Sequence, residues 1–169
     1  MDLEEAVRTR RTHKVYGSEP VDRTTLEELF ELARWAPNHH LTNPWRFRVL
    51  GPAALAALKD AAAPVDGAKL DRAPTLVVVS AVQVEDRDQA REDRDATAVA
   101  AYLVLLGAHA RGLAGYWRTP PVLRTREGRA AVDVGVDQDV LGLLHLGPAR
   151  QEQRAPERAP VGEITRFLQ

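Results

Sequence analysis

Residues 98–110, AVAAYLVLLGAHA, are apolar on almost every side and form the second half of the longest helical pattern in the chain, about 88–110, closed by Gly112. A helix without a polar face cannot rest on a surface, so this half has to lie at the centre of the fold. Its first half, DQAREDRDA, is charged and belongs in water. The run PTLVVVSAV (74–82) makes a matching demand, because a β-branched stretch without polar alternation suits a strand covered on both faces. A buried helix and a buried strand together predict a layered α+β or α/β domain, a small sheet with helices on both sides.

The remaining pattern fills in around that centre. A first helix is predicted over 3–9 with Asp2 as its cap. TTLEELFELARWAP reads as an amphipathic helix with Leu26, Leu29, Phe30 and Ala33 in one stripe; Thr24 and Glu27 are expected to form its capping box, and Pro37 to end it. Residues 45–50 alternate large apolar and basic side chains, as a half-buried strand does, and 53–63 are helical by propensity. Strands are expected at 114–120 and 139–147, with a short helix between them. The chain is expected to be one domain over 1–169, in which 150–169 is a polar, proline-containing tail ending in Ile164, Phe167 and Leu168. Such a tail with an apolar tip suits packing on another subunit.

Charge and composition narrow the function. A formal net charge of −1 argues against bulk nucleic-acid or membrane binding. The first residues are acidic and amphipathic, unlike a signal peptide, and the expected location is the cytoplasm. With no cysteine, thiol catalysis and thiolate metal sites are excluded, and any redox chemistry needs a borrowed cofactor.

Against this balanced background, RTRRTHKVYG (8–17) concentrates positive charge. Arginines after a helix C-terminus can simply offset its dipole. Alternatively Arg10, Arg11, Thr12 and Lys14 together offer guanidinium forks, a hydroxyl and a mobile point charge, which suits a phosphate and a second electron-rich part of one ligand. The loop WAPNHHLTNPWRF (35–47) has no evident packing purpose. Its adjacent His39 and His40 are expected to point in opposite directions, without accompanying carboxylates, so no metal is expected there. A flat heteroaromatic ligand fits it better. In GYWRTP, Trp117 and Arg118 are either core and surface or part of a site. There is no GxGxxG, P-loop or GxSxG motif, and no carboxylate pair stands out.

In this order and spacing, RTRRTHKVYG, APNHHLTNPWRF and GYWRTP resemble the three signature regions of the nitroreductase family, the FMN-dependent NAD(P)H oxidoreductases. AP…PWRF is the most specific of the three. The resemblance covers nearly the whole chain, and the short length is similar to the compact bacterial branch.

The resemblance implies an α+β fold with a small, mostly antiparallel sheet, a homodimer that exchanges C-terminal arms, and FMN at the subunit interface. Arg10, Arg11 and Thr12 match the segment that holds the FMN phosphate and ribityl chain, and Lys14 the lysine at the N1–C2=O edge of the flavin. Trp35 and His39 match the loop that reaches the ring, with Asn43 standing where the family often has Gln and Leu41 where it often has Asn. Trp117, Arg118 and Thr119 match the strand end that runs along the ring. Arg158, or Arg154 in its stead, matches the closing basic residue at the phosphate. The implied function is ping-pong electron transfer from NAD(P)H to an electron-poor acceptor, a nitroaromatic or quinone, with the flavin rather than a side-chain dyad carrying the chemistry. The alternative is an FMN carrier or sensor without turnover, or a phospho-ligand module without flavin.

Overall fold

In the computed structural model, which describes residues 1–168, the long helix occupies the predicted centre. The helices are α1 (Leu3–Thr9), α2 (Arg23–Ala33), α3 (Pro52–Ala61), α4 (Pro64–Gly67), α5 (Arg87–Ala110), α6 (Arg126–Ala131) and α7 (Val161–Ile164). The strands β1 (Trp45–Val49), β2 (Thr75–Val82), β3 (Leu113–Arg118) and β4 (Gln138–Pro148) form one sheet in the order β1-β2-β4-β3. Each neighbouring pair is antiparallel. The long crossover α5 carries the chain from β2 to the edge strand β3, and β4 then fills the gap between them.

β2 shows why the sheet needs cover on both sides. Val77 and Val79 point into a cluster with Leu29, Val104 and Leu144, under α2 and α5. Leu76 and Val78 point the other way, into a cluster with Leu58, Leu70 and Leu123. The strand period of two sends alternate side chains to opposite faces, so both faces must be apolar. Each fully buried leucine or valine contributes about 1.5–3 kcal/mol.

The helices start where a carboxylate can take the first free N–H groups. Asp2 accepts from the Glu5 N–H at 2.8 Å, as expected. In α2 the cap is Asp22, which accepts from the Thr25 N–H at 2.9 Å. The Thr24–Glu27 box is therefore displaced into the first turn, where Glu27 pairs with Arg23 at 2.7 Å. A charged acceptor at the positive end of the helix dipole outcompetes a hydroxyl. Asp86 caps α5 in the same way, accepting from the Gln89 N–H at 2.9 Å.

Past α1 the chain runs along the free edge of β3. Thr12 bridges to Gly115 in parallel, and the His13 N–H donates to the Gly115 carbonyl at 3.1 Å. A Cβ on Gly115 would stand 2.8 Å from Leu105 Cδ2, so glycine lets β3 lie close against α5. The basic segment is thereby held at the seam of α1, α5 and β3. From 149 to 160 the tail is exposed throughout, and past α7 Phe167 is 92% exposed.

Candidate functional site

The basic segment divides its labour. Arg8 pairs with Glu4 at 2.8 Å, and Arg11 donates through Nη1 to the Arg8 and Arg10 carbonyls at 2.7 and 2.8 Å, closing the C-terminal end of α1. Arg11 thus fills the helix-dipole role, yet it also lines a cleft, and its buried Nε has no partner among the described residues. Arg10 lies 5.9 Å from the Tyr102 ring centre on α5, a cation–π contact that leaves its fork free. The cleft measures about 590 Å³ and is closed from the tail by Ala155, Pro156 and Arg158. Arg10, Arg11 and Arg158, far apart in sequence, therefore meet at one concave site. Among the described residues none of the three has a carboxylate partner. Thr12 and Lys14 are exposed just beyond.

The loop after α2 forms a separate place. A cleft of about 380 Å³ is lined by Trp35, Asn38, Leu41 and Asn43, and shares no lining residue with the basic cleft. His40, Leu41 and Asn43 all adopt left-handed φ, 55°, 51° and 47°. Each such residue costs of order 1 kcal/mol or more and persists only where its surroundings impose it. Here they do. Asn38 Oδ1 accepts the Asn43 N–H at 2.9 Å, Thr42 donates to Asp93 Oδ1 at 2.5 Å, and His39 Nδ1 sits 2.6 Å from Glu92. The loop is pinned to the first half of α5, whose charged face is thus partly occupied. His39 and His40 do not diverge as expected; the left-handed turn at His40 stacks their rings at 3.8 Å. Among the described residues no group of three His, Asp or Glu side chains is placed to hold a metal ion.

The strand end lies elsewhere again. The Trp117 indole donates to the Leu141 carbonyl at 3.1 Å, inside the sheet, and Arg118 reaches the Lys69 carbonyl at 3.4 Å. Thr119 is exposed and lines a narrow cleft of about 60 Å³ with Arg94, Arg124 and Gly142. Behind this end His145 is fully buried against Tyr116, with neither ring nitrogen partnered among the described residues. Burial, and then Arg118 and Arg72, push its pKa down to about 4.

Of the sequence-chosen residues, then, Arg10, Arg11 and Arg158 converge, with Thr12 and Lys14 beside them. Trp35, His39 and Asn43 gather in the loop, and Trp117, Arg118 and Thr119 stay at the strand end. Three residues at the basic cleft were not chosen: Tyr102, which lines it, and His13 and His109 nearby. The seven-residue spacing of Tyr102 and His109 puts both on one face of α5, two turns apart, and was the available signal. No helix among the described residues is long and apolar enough to cross a membrane.

Over residues 7–147 the chain matches the model of the Nitroreductase family. It is 25% identical over 177 positions to YfhC of Bacillus subtilis (strain 168), whose name assigns it provisionally to the NAD(P)H nitroreductases; the match spans 94% of this chain and 90% of that one. Among solved structures, a nitroreductase-like family protein from Bacillus cereus superposes with a TM-score of 0.90 at 22% identity, covering 99% of this chain and 96% of its own. NfnB from Sphigopyxis sp. strain HMH, an FMN- and NADPH-dependent nitroreductase, superposes with a TM-score of 0.83 at 18% identity, over 100% of both chains.

Proposed function

The chain belongs to the nitroreductase family, and from that membership we propose that it is an FMN-dependent oxidoreductase that takes electrons from NAD(P)H and passes them, by ping-pong turnover, to an electron-poor acceptor such as a nitroaromatic or a quinone. The observation that carries this reading is the convergence of Arg10, Arg11 and Arg158 on one cleft. A phosphate monoester brings about −1.5 to −2 charges at neutral pH and acceptor oxygens in the geometry that guanidinium forks grip. Three arginines without carboxylate partners among the described residues, one with a buried orphan Nε, fit that group.

Bound there, FMN supplies the hydride chemistry, and no side-chain acid or base is essential to it. The protein's part is grip, orientation and electrostatics. Arg10, Arg11 and Arg158 hold the phosphate, and Thr12, anchored at the Gly115 bridge, offers a hydroxyl beside it. Lys14, exposed two residues further along the same segment, sets a cation where the electron-rich edge of the ring belongs. A fixed positive charge there favours the negative charge that accompanies reduction.

The loop contributes from a second copy. Trp35, His39 and Asn43 lie on a cleft of their own or beside it, and in a homodimer they would approach the flavin held by the other copy. The tail from 150 onward, with Ile164, Phe167 and Leu168 exposed, is the arm that embraces that copy. Trp117, Arg118 and Thr119, at the strand end, would be the residues nearest the ring on that side. The test is steady-state oxidation of NADH and NADPH by the FMN-loaded chain with a quinone or nitroarene. Turnover that scales with bound FMN is expected; FMN binding without turnover selects a flavin carrier instead.

A further inference from the structure

Directly behind Arg10 and Arg11 stands a polar layer that the flavin chemistry does not use. His13 is buried, with Nδ1 unpartnered among the described residues. His109, in the last turn of α5, sits with Nε2 2.8 Å from the Thr9 hydroxyl. That hydroxyl gives its single proton to the Glu5 carbonyl at 2.6 Å. Toward His109 it can therefore only accept, so Nε2 carries the ring proton and Nδ1 remains the site for a second one.

We propose that His13 and His109 are positioning residues of the phosphate site, a proton-accepting layer that gains protons when a phosphate monoester binds and grips it more tightly in consequence. This rests on reading the cleft as the FMN phosphate site. The charged and titratable groups around the rings account for the coupling. Glu5 comes from α1, Arg10 and Arg11 from the segment that follows it, and Tyr16 from just beyond. Tyr102 comes from α5, where the neighbouring Arg111 is engaged by Glu28 of α2 at 3.1 Å. Tyr116 lies on β3, and Arg158 faces in from the tail. Glu28 is taken up by Arg111, and among the described residues Glu5 is the carboxylate that acts on His109, so an empty cleft leaves the imidazoles facing Arg10 and Arg11 uncompensated. Burial and Arg10 hold both rings below the usual histidine range, His13 with a further contribution from His109, and His109 from Arg11 against the opposing pull of Glu5. A phosphate between the guanidiniums offsets that repulsion. The negative end of the α5 dipole then favours an imidazolium at His109. By linkage, whatever raises proton affinity on phosphate binding raises phosphate affinity on protonation.

The test is titration of the full chain, freed of flavin, with FMN and with riboflavin, which lacks the phosphate. Flavin fluorescence reads affinity at pH about 6 and about 8, and calorimetry in buffers of different ionisation enthalpy counts protons. Each proton taken up changes affinity about tenfold per pH unit, so acidification should strengthen FMN binding roughly three- to tenfold more in the wild type than in His109→Gln. The ionisation of FMN's own phosphate is common to both proteins and cancels. Riboflavin should show no such difference, and His13→Gln should act in the same direction. The proton count is taken as the difference between wild type and His109→Gln, and holds even if His13→Gln fails to fold. Equal pH slopes in wild type and His109→Gln, no wild-type proton uptake beyond that of His109→Gln, or the same slope with riboflavin overturns the proposal while leaving the FMN site intact. Failure to bind FMN at any pH overturns that site and this proposal together.

Discussion

Replacing His145 with leucine tests the energetics of the sheet more sharply than any surface change. His145 is 0% exposed in the middle of β4, and its ring has no hydrogen-bond partner among the described residues. In the native state its pKa is down at about 4, against an ordinary 6.5, because burial and the nearby Arg118 and Arg72 oppose a second positive charge. Between those two values the unfolded chain binds a proton that the native one refuses. Stability therefore falls as pH drops from 6.5 towards 4 and loses nothing further from this group below that. At about 1.4 kcal/mol per pH unit, the interval between 6.5 and about 4 amounts to roughly 3 kcal/mol. That is a large share of the stability of an ordinary domain. His145→Leu should remove this acid limb. At neutral pH it should leave stability unchanged or raise it by about 1 kcal/mol, since two buried nitrogens without partners are replaced by apolar atoms. Urea denaturation followed by circular dichroism across that pH range gives the two curves. Their separation should widen by roughly 3 kcal/mol towards acid. Parallel curves would refute the argument and mean that the imidazole finds a partner or water in the native state.

The other predictions concern the site. Arg158→Ala should weaken FMN binding about 10- to 100-fold, the worth of a charge-assisted hydrogen bond, and leave riboflavin binding alone; fluorescence titration with both flavins decides. Lys14→Ala should lower the midpoint potential of bound flavin, and an unchanged potential in a dye-equilibration titration removes Lys14 from the ring edge. Thr42→Val takes one donor from the buried Asp93 carboxylate, leaving Gln89 at 2.9 Å, and should destabilise the protein by about 1–3 kcal/mol, seen as a lower Tm. Mixing an Arg10→Ala chain with a His39→Ala, Asn43→Ala chain should restore activity to about a quarter of wild type, because a random heterodimer rebuilds one intact seam. No recovery after subunit exchange would mean that loop and basic cleft serve one chain.

The elements easiest to read in the sequence were those whose burial is uniform. Residues 98–110 and 74–82 have no polar side to hide, so their class and their place at the centre follow from hydropathy alone. Strand pairing was harder. Helices separate most of the strands, which left an α/β arrangement open, and it is the pairing of β1 with β2 and of β2 and β3 with the late strand β4 that makes the sheet antiparallel. The α2 cap was misplaced by two residues because Thr24 and Glu27 satisfy the capping pattern while Asp22, outside it, binds the N–H. His39 and His40 stack because a left-handed residue between two turns reverses the expected alternation, and no residue type announces that conformation. The basic cleft was legible in parts. Arg10 and Arg11 stood out by local charge, and Arg158 came through family resemblance. His109 was missed because its site is made by tertiary contact with Thr9, a hundred residues earlier.

What ties loop, tail and cleft together is an imbalance of order against burial. Trp35 and Leu41 are 77% and 76% exposed, yet the loop between α2 and β1 that carries Leu41 is held by bonds to Asn38, Glu92 and Asp93 and by three left-handed residues. Ordering such a loop costs about 1–2 kcal/mol per residue, and in a single chain its largest apolar side chains recover none of it. The same holds for Phe167 and Leu168 at the tip of the tail. Beside Trp35 a groove of about 470 Å³ runs past Leu3, Leu32 and Leu106, apolar along most of its length. A surface of this kind gains free energy only when another apolar surface covers it. In the proposed homodimer, a second copy of the chain would bring both that cover and the loop that the arginine cleft lacks. The side chains without burial in one chain and the ligand site without a second wall would then be completed by the same contact.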